Sequence, residues 1–93
     1  MIRPMAPLRD PPPWWDWELE LSAHVEQRME ERGITEVDLR RMLEHAVALR
    51  EGQVDGRFIA EARDRGTLWA VVLEPDVELE CVAVVTVYNT EEP

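Results

Sequence analysis

The spacing of apolar residues changes twice along this chain, and this change constrains the fold more than any other feature of the sequence. Residues 15–21 alternate between apolar and acidic side chains, residues 22–52 carry apolar side chains at helical spacing, and alternation returns after residue 53. Alternation predicts strands with one buried face, whereas a repeat of about 3.6 residues predicts amphipathic helices. The sequence therefore predicts the element order β-α-α-β-β-β, an α+β fold with two helices packed on one face of a four-stranded, mainly antiparallel sheet.

Polar and glycine residues mark the ends of both predicted helices. Ser22 is a suitable N-cap for the first helix, and Gly33 suits the left-handed residue that follows such a helix. Thr35 and Asp38 have the spacing of a capping box for the second helix. Its helical spacing continues to Gly52, so we expect the second helix to end there.

Three strands joined by short turns are predicted in the second half of the chain. The first covers about residues 57–63, the second covers residues 67–74 and the third covers about residues 79–88. Asp64-Arg65-Gly66 has the composition of a three-residue hairpin loop, and Pro75-Asp76 suits the next turn. The almost continuous apolar run in the last strand indicates that both of its faces are covered or nearly so.

The two ends of the chain are expected to lie outside the packed domain. Five of the seven prolines fall within residues 1–13, where they favour a flexible, extended tail over a helix or a sheet. The remaining chain has room for one small core, which we assign to a single α+β domain over residues 14–89. Residues 90–93 are expected to form an acidic tail.

Composition excludes several classes of protein. The formal net charge is −10 and all ten basic residues are arginine, so the chain lacks the lysine-rich surface of a general nucleic-acid binder. Any site that binds an anion must therefore be a small part of the surface, formed by a few arginines. Cys81 is the only cysteine, which rules out an intramolecular disulfide and favours a reducing cytoplasm. We find no apolar stretch typical of a signal peptide or a membrane span, so we expect a cytoplasmic protein without membrane contact.

His24, Arg28 and Arg32 recur every four positions in the first predicted helix, which places them on one face. An imidazole that exchanges a proton near neutral pH, beside two guanidinium groups, suits the handling of phosphate or carboxylate oxygens. The competing interpretation is that the arginines pair with neighbouring glutamates on a solvated surface. Sequence spacing alone leaves both interpretations open.

Three segments of the chain together resemble a bacterial family known as domain of unknown function 4258. These segments are His24-x-x-x-Arg28-x-x-x-Arg32-Gly33-Ile34-Thr35, Gly56-Arg57-Phe58 and Val84-Val85-Thr86-Val87-Tyr88. The resemblance covers about residues 14–88. It implies a likeness to the RelE/ParE toxins and related small bacterial ribonuclease toxins, whose β-α-α-β-β-β order agrees with the order predicted from periodicity.

The resemblance implies a toxin-like endoribonuclease, or a decayed relative of one, that cleaves RNA without a metal by attack of the adjacent 2′-hydroxyl. His24 would act as general base or acid, while Arg28 and Arg32 would hold the scissile phosphate. Tyr88 would donate a proton or stack on a base. The implied site residues are His24, Arg28, Arg32 and Tyr88 for catalysis, with Arg57 and Thr86 for substrate binding.

No metal and no cofactor is predicted from the sequence. The two histidines and Cys81 have no recognisable zinc spacing. The chain also has no glycine-rich phosphate loop and no nucleophile elbow, which excludes the hydrolase families built on those motifs.

The strongly acidic charge leaves non-catalytic alternatives open. RelE-like toxins are usually basic, whereas this chain would repel RNA over most of its surface. In a non-catalytic relative, the two helix arginines would instead pair with carboxylates of the sheet. The candidates are Glu61, Glu74 and Glu80. A further alternative is a protein-binding module in which an exposed strand edge accepts an antitoxin-like partner or a second copy of the chain.

Overall fold

Five strands in one sheet, with two helices packed against one of its faces, make up the computed structural model, which describes residues 10–91. The elements in chain order are a 3-10 helix at Pro13–Asp16, β1 at Glu18–Leu21, α1 at Ala23–Glu31, α2 at Glu36–Glu44, β2 at Ala48–Glu51, β3 at Phe58–Asp64, β4 at Thr67–Asp76 and β5 at Cys81–Asn89. The predicted α+β class and the two helices are confirmed. The sheet has five strands rather than the predicted four.

The strand order β1-β5-β4-β3-β2 places the first and last strands side by side. β1 pairs with β5 in parallel, from Glu18 opposite Cys81 to Leu21 opposite Val84, and all other neighbouring strands are antiparallel. β5 continues beyond Val84, where β1 has ended. A register shift between β4 and β5 leaves Val85 as an extra residue, a β-bulge that changes which face the following side chains occupy.

The core lies between the two helices and one face of the sheet. Val25 and Met29 of α1 and Leu39 and Met42 of α2 are buried against that face. The strands contribute alternate residues, as a sheet with one covered face requires. Those in the core are Ala60, Ala62, Val71, Leu73, Val82, Val84 and Val87. We call the opposite side of the sheet, which carries neither α1 nor α2, the open face.

The C-terminal part of the predicted second helix is a strand. The helix ends at Glu44, and β2 then pairs with β3, with Leu49 opposite Ala60, so the prediction of a helix to Gly52 is wrong. A short segment with Ala46 and Leu49 at helical spacing is compatible with either structure. Pairing with β3 favours the strand over the helix, because it provides hydrogen-bond partners for the backbone N–H and C=O groups along the outer edge of β3. This pairing adds the fifth strand.

Four residues predicted to mark helix ends have the predicted roles in the structure. The Val25 N–H donates to Ser22 Oγ at 3.2 Å, and Gly33 after α1 has a φ of 73°. Thr35 and Asp38 form the predicted capping box, with the two N–H···O distances at 2.9 and 3.0 Å. These ends depend on the chemistry of single side chains, which is why the sequence reveals them.

The hairpin between β3 and β4 is tighter than predicted. Asp64 pairs with Thr67, so its loop contains two residues rather than three. Both of them, Arg65 and Gly66, have positive φ values, at 54° and 82°. A two-residue loop of this kind matches the right-handed twist of antiparallel strands.

The N-terminal segment packs against the sheet through its tryptophans. Residues 1–9 of the predicted tail lie outside the described residues. Pro13–Asp16 forms the 3-10 helix, so the first strand begins at Glu18 rather than at Trp15, three residues earlier, where the predicted alternation starts. The ring of Trp14 lies 5.0 Å from that of Phe58, measured between centroids, and the neighbouring tryptophans also pack against the core.

The predicted C-terminal tail begins within the fold. The backbone N–H and the hydroxyl of Thr90 both donate to the Leu68 carbonyl, at 3.0 and 2.9 Å. The Glu91 carboxylate lies 3.8 Å from the Arg63 guanidinium. Residues 92–93 lie outside the described residues.

A charged cluster ties α2 to the β3–β4 hairpin. Asp38 is 7% exposed, accepts a hydrogen bond from Arg41 at 2.7 Å and lies 3.5 Å from the Arg65 guanidinium. Arg41 also reaches Asp64 at 3.1 Å. The Thr35 N–H, and after it Arg41, lower the pKa of Asp38 from 3.8 to about 2. Hydrogen bonds to the carboxylates of Asp38 and Asp64 raise the pKa of Arg41.

We expect Asp38→Asn to remove a pH-dependent part of the stability. Because the folded-state pKa of Asp38 is lowered, its contribution is fully present above about pH 4 and is lost as the pH falls towards about 2. Urea unfolding should show a smaller loss of stability over this window in the variant than in the wild type, and its melting temperature at pH 7 should be several degrees lower.

The control for this experiment is Glu36→Gln, which changes an exposed carboxylate in the same helical turn. It should keep the pH dependence of the wild type. Identical pH profiles for D38N and the wild type would contradict the role assigned to Asp38.

Candidate functional site

Helix α1 presents the predicted histidine and arginines to solvent on one side. Val25 and Met29, each 3% exposed, fix the rotation of the helix because they are buried against the sheet. At about 100° per residue, His24 and Arg28 then lie on the same side of this buried stripe, with Arg32 following at the C-cap. All three side chains are exposed. We call these three residues the cationic flank.

The opposite side of α1 is acidic. Glu26 and Glu30 lie one turn apart and, by the same helical geometry, face away from the cationic flank across the buried stripe. We call these two residues the acidic flank. The two arginines thus lie on one side of α1 and these two glutamates on the other, while Glu31, three residues after Arg28, lies on the side of the cationic flank.

Among residues 10–91, the arginines of the cationic flank differ from the other arginines because they have no carboxylate partner there. Of the eight arginines within residues 10–91, six lie within ion-pair distance of an aspartate or glutamate. Those six are Arg40, Arg41, Arg50, Arg57, Arg63 and Arg65. Arg28 and Arg32 make no such pair with any residue that the structure describes, although the chain has twice as many acidic as basic residues. Their guanidinium groups keep their hydrogen-bond donors available to an external anion.

The alternative in which these arginines pair with the sheet does not occur within the described chain. Glu61 pairs with Arg50 at 3.5 Å, and Glu74 accepts a hydrogen bond from Arg57 at 2.9 Å. Two of the three candidate carboxylates are thus paired with arginines of the sheet and its loops, and Glu80 has no ion pair with any residue that the structure describes.

A groove of about 540 Å³ lies beside His24. It is formed where β1 ends next to β5, and its lining includes Glu20, Ser22 and the bulged Val85. Glu20 and His24 are the two titratable side chains among the lining residues. Because β5 continues past the end of β1, its backbone beyond Val84 lacks a neighbouring strand on this side in the described chain. Sequence reasoning did not find Glu20 or the bulge, since the pairing of β1 with β5 is not visible in local periodicity.

The other three predicted site residues lie on the open face. Thr86 and Tyr88 alternate with Val87, which is in the core, so their side chains project from the opposite side of the sheet. Arg57 pairs with Glu74, whose strand neighbour Leu73 is also in the core. The structure thus brings His24, Arg28 and Arg32 together on α1 but leaves Arg57, Thr86 and Tyr88 across the sheet from them.

The open face is acidic near the parallel strand pair. Cys81 is 8% exposed, and burial raises the pKa of its thiol, with the carboxylates of Glu20, Asp76 and Glu18 adding to the effect. Within residues 10–91, no group of three or more histidine, cysteine, aspartate or glutamate side chains is arranged to hold a metal ion. In the same residues, no helix combines the length and the apolar character needed to cross a membrane.

We expect the Cys81 thiol to react slowly with a thiol reagent at pH 8, because the thiolate is the reactive form and its pKa is raised. Glu20→Gln should accelerate the modification by about two- to threefold, since it removes one of the neighbouring negative charges. Glu26→Gln, on the far flank of α1, is the control and should leave the rate unchanged. Equal rates for the two variants would show that burial alone governs this thiol.

Comparison with known proteins identifies a family but no characterised relative. Residues 21–93, well over half of the chain, match the model of a family described as domain of unknown function (DUF4258). No curated protein and no solved structure matches the chain. The match begins at the last residue of β1 and includes both helices and all later strands. This chain therefore belongs to the DUF4258 family.

Proposed function

We propose that this protein is a toxin-like, metal-independent endoribonuclease of RelE/ParE type, and that the cationic flank of α1 binds the scissile phosphate. The observation that carries the proposal is the pair of arginines without carboxylate partners in the described chain, Arg28 and Arg32, beside the exposed His24. Six other arginines are already paired, so among the residues that the structure describes these two are the guanidinium groups best able to bind a new anion.

The proposed reaction needs three contributions from the site. The 2′-hydroxyl of the RNA attacks the adjacent phosphorus, and the bond to the 5′-oxygen of the next nucleotide breaks, which leaves a cyclic 2′,3′-phosphate and a free 5′-hydroxyl. One group removes the proton of the 2′-hydroxyl and another protonates the leaving oxygen. Arg28 and Arg32 donate hydrogen bonds to the non-bridging oxygens and stabilise the additional negative charge of the transition state.

His24 and Glu20 are the proposed proton-transfer pair. Both line the groove at the end of β1, where they are the titratable side chains. Glu20, as a carboxylate, would accept the proton of the 2′-hydroxyl, and His24, as an imidazolium, would donate one to the leaving oxygen. Arg57, Thr86 and Tyr88 do not line this groove and are left out of this proposed site.

The acidic charge of the chain limits the kind of RNA that this site can bind. Exposed charges further apart than about 8 to 10 Å are largely screened in cellular salt, so a local pair of arginines can attract a phosphate despite the net charge of −10. A long duplex would contact acidic surface beyond the site. We therefore propose short, unpaired RNA segments as the substrate class.

Cleavage of end-labelled RNA in EDTA tests the proposed reaction. We expect the wild type to leave cyclic phosphate ends, and His24→Ala to reduce the rate by roughly 100-fold or more, as removal of a general acid does. Arg28→Ala should also reduce the rate strongly. The matched control is Arg40→Ala, which removes an exposed helical arginine that is already paired with Glu36. Circular dichroism should show that all variants are folded.

No cleavage by the wild type, or equal rates for the wild type and all three variants, would overturn the enzymatic proposal. If cleavage depends on Arg28 but not on His24, the proposed phosphate site is supported and the proton-transfer role of His24 is rejected.

Binding of a short single-stranded RNA tests the phosphate contacts separately from catalysis. If two phosphates are contacted, log Kd should rise with log salt concentration with a slope of about 1.4. The double variant R28A/R32A should lose most of this slope. R40A/R50A, which removes two exposed but paired arginines, should retain it. A slope unchanged in R28A/R32A would contradict the assignment.

A second candidate function, a non-catalytic protein-binding module, is supported by the edges of the sheet. β1 and β2 are the edge strands, each four residues long, and each has one side without a neighbouring strand in the described chain. Such an edge can pair with a strand of an antitoxin-like partner or of a second copy. Sedimentation of the purified protein measures the second possibility directly, and a monomer at all concentrations would exclude the homodimer.

A further inference from the structure

We propose that the groove between α1 and the start of α2 is a docking site for a basic, amphipathic segment of a partner protein. This groove has a volume of about 600 Å³ and lies on the side of α1 that carries the acidic flank. We call it the acidic groove. Its floor is formed by Leu21, Met29 and Ile34, and its rim carries Glu26, Glu30 and Glu36.

The floor of the acidic groove is apolar and pre-formed. Met29 and Ile34 are 3% and 7% exposed, and the Ile34 N–H donates to the Met29 carbonyl at 2.8 Å. Leu21, the last residue of β1, is half-buried next to them. A methionine thioether adapts to side chains of different shape, which suits a surface that receives an apolar anchor residue.

The rim of the acidic groove selects a positively charged occupant. None of the residues that line the groove is basic. Glu26 and Glu30 stand one turn apart, where like charges destabilise a helix, and neither lies within ion-pair distance of a basic side chain in the described chain. A cation placed between them would remove this repulsion. Glu36 pairs with Arg40 but keeps about half of its side chain exposed, 52%.

The occupant that fits this surface has one or two apolar side chains flanked by arginine or lysine. A nucleic acid or an anionic lipid would be repelled by the three rim carboxylates. A second copy of this chain is also disfavoured, since each copy carries a net charge of −10. Charge complementarity therefore identifies a basic segment of another protein.

The acidic groove and the cationic flank can be occupied at the same time. They lie on opposite sides of the buried stripe of Val25 and Met29, so a segment bound at Glu26 and Glu30 does not cover His24. This docking site is thus independent of the proposed ribonuclease activity, and failure of one proposal leaves the other standing.

Titration of the ¹⁵N-labelled protein with a synthetic peptide tests the docking site. The probe contains two leucines flanked on each side by two arginines, and it is compared with peptides in which the arginines are glutamates or the leucines are serines. We expect the largest amide shifts at Gly33 and Ile34. The double variant E26Q/E30Q should weaken the affinity by roughly tenfold at low salt. The matched control E44Q/E51Q removes two exposed carboxylates that do not line the groove.

Several outcomes would overturn the proposal. They are an equal loss of affinity in both double variants, equal binding of the peptide without leucines, and shifts centred on the sheet rather than on the groove. Shifts at Gly33 and Ile34 that depend on protein concentration without peptide would identify a second copy as the occupant instead.

Discussion

The parallel pairing of β1 with β5 is the interaction on which the other functional features depend. It joins four residues near the start of the described chain to the last strand, so it closes the longest loop in the fold. α1 follows β1 after one residue and packs back against β5 through Val25 and Met29. This packing fixes the rotation of α1, and with it the direction of both flanks. The groove beside His24 exists because β1 ends while β5 continues.

Signals carried by single residues were predictable from the sequence, whereas long-range pairings were not. Ser22, Gly33 and the Thr35–Asp38 capping box mark helix ends by their own chemistry, and all are confirmed. The same holds for the spacing that places His24 and Arg28 on one side of α1, because helical geometry requires only local information. β2 was mistaken for helix because its identity depends on pairing with β3, a contact between segments that local periodicity does not relate.

The α1 part of the candidate site could be predicted from the sequence, but the position of the β5 residues could not, because it also depends on long-range strand pairing. A continuous run of β-branched residues in β5 conceals the bulge at Val85, and one extra residue reverses the face of every side chain that follows it. Thr86 and Tyr88 belong to the open face as a result, although the family resemblance implies a common site with α1. Whether two sequence motifs converge depends on register, and register is set by partners in space.

Charge in this protein is best understood pair by pair rather than as a total. Six arginines of the described chain are close to carboxylates of α2, the sheet and its loops, and in the hairpin cluster Asp38 lies near both Arg41 and Arg65. These pairs neutralise part of the acidic excess and engage part of each of the six guanidinium groups. The two arginines without carboxylate partners in the described chain are recognised only when each arginine is examined with its own neighbours. The net charge of the chain does not reveal them, because salt screens the effect of charges that lie further away.

Helix α1 is too short to be stable by itself in water, since isolated helices below about 12 to 15 residues are marginal. Its stability must come from the cap at Ser22 and from the burial of Val25 and Met29. Those contacts use one stripe of the helix and leave both sides exposed, so the two sides are free to carry opposite charges without loss of packing. Glu26 and Glu30 lie across the helix from Arg28, and Glu31, three residues after Arg28, is not within ion-pair distance of it. A single buried stripe thus holds two charged surfaces in fixed positions, one suited to an anion and the other to a cation.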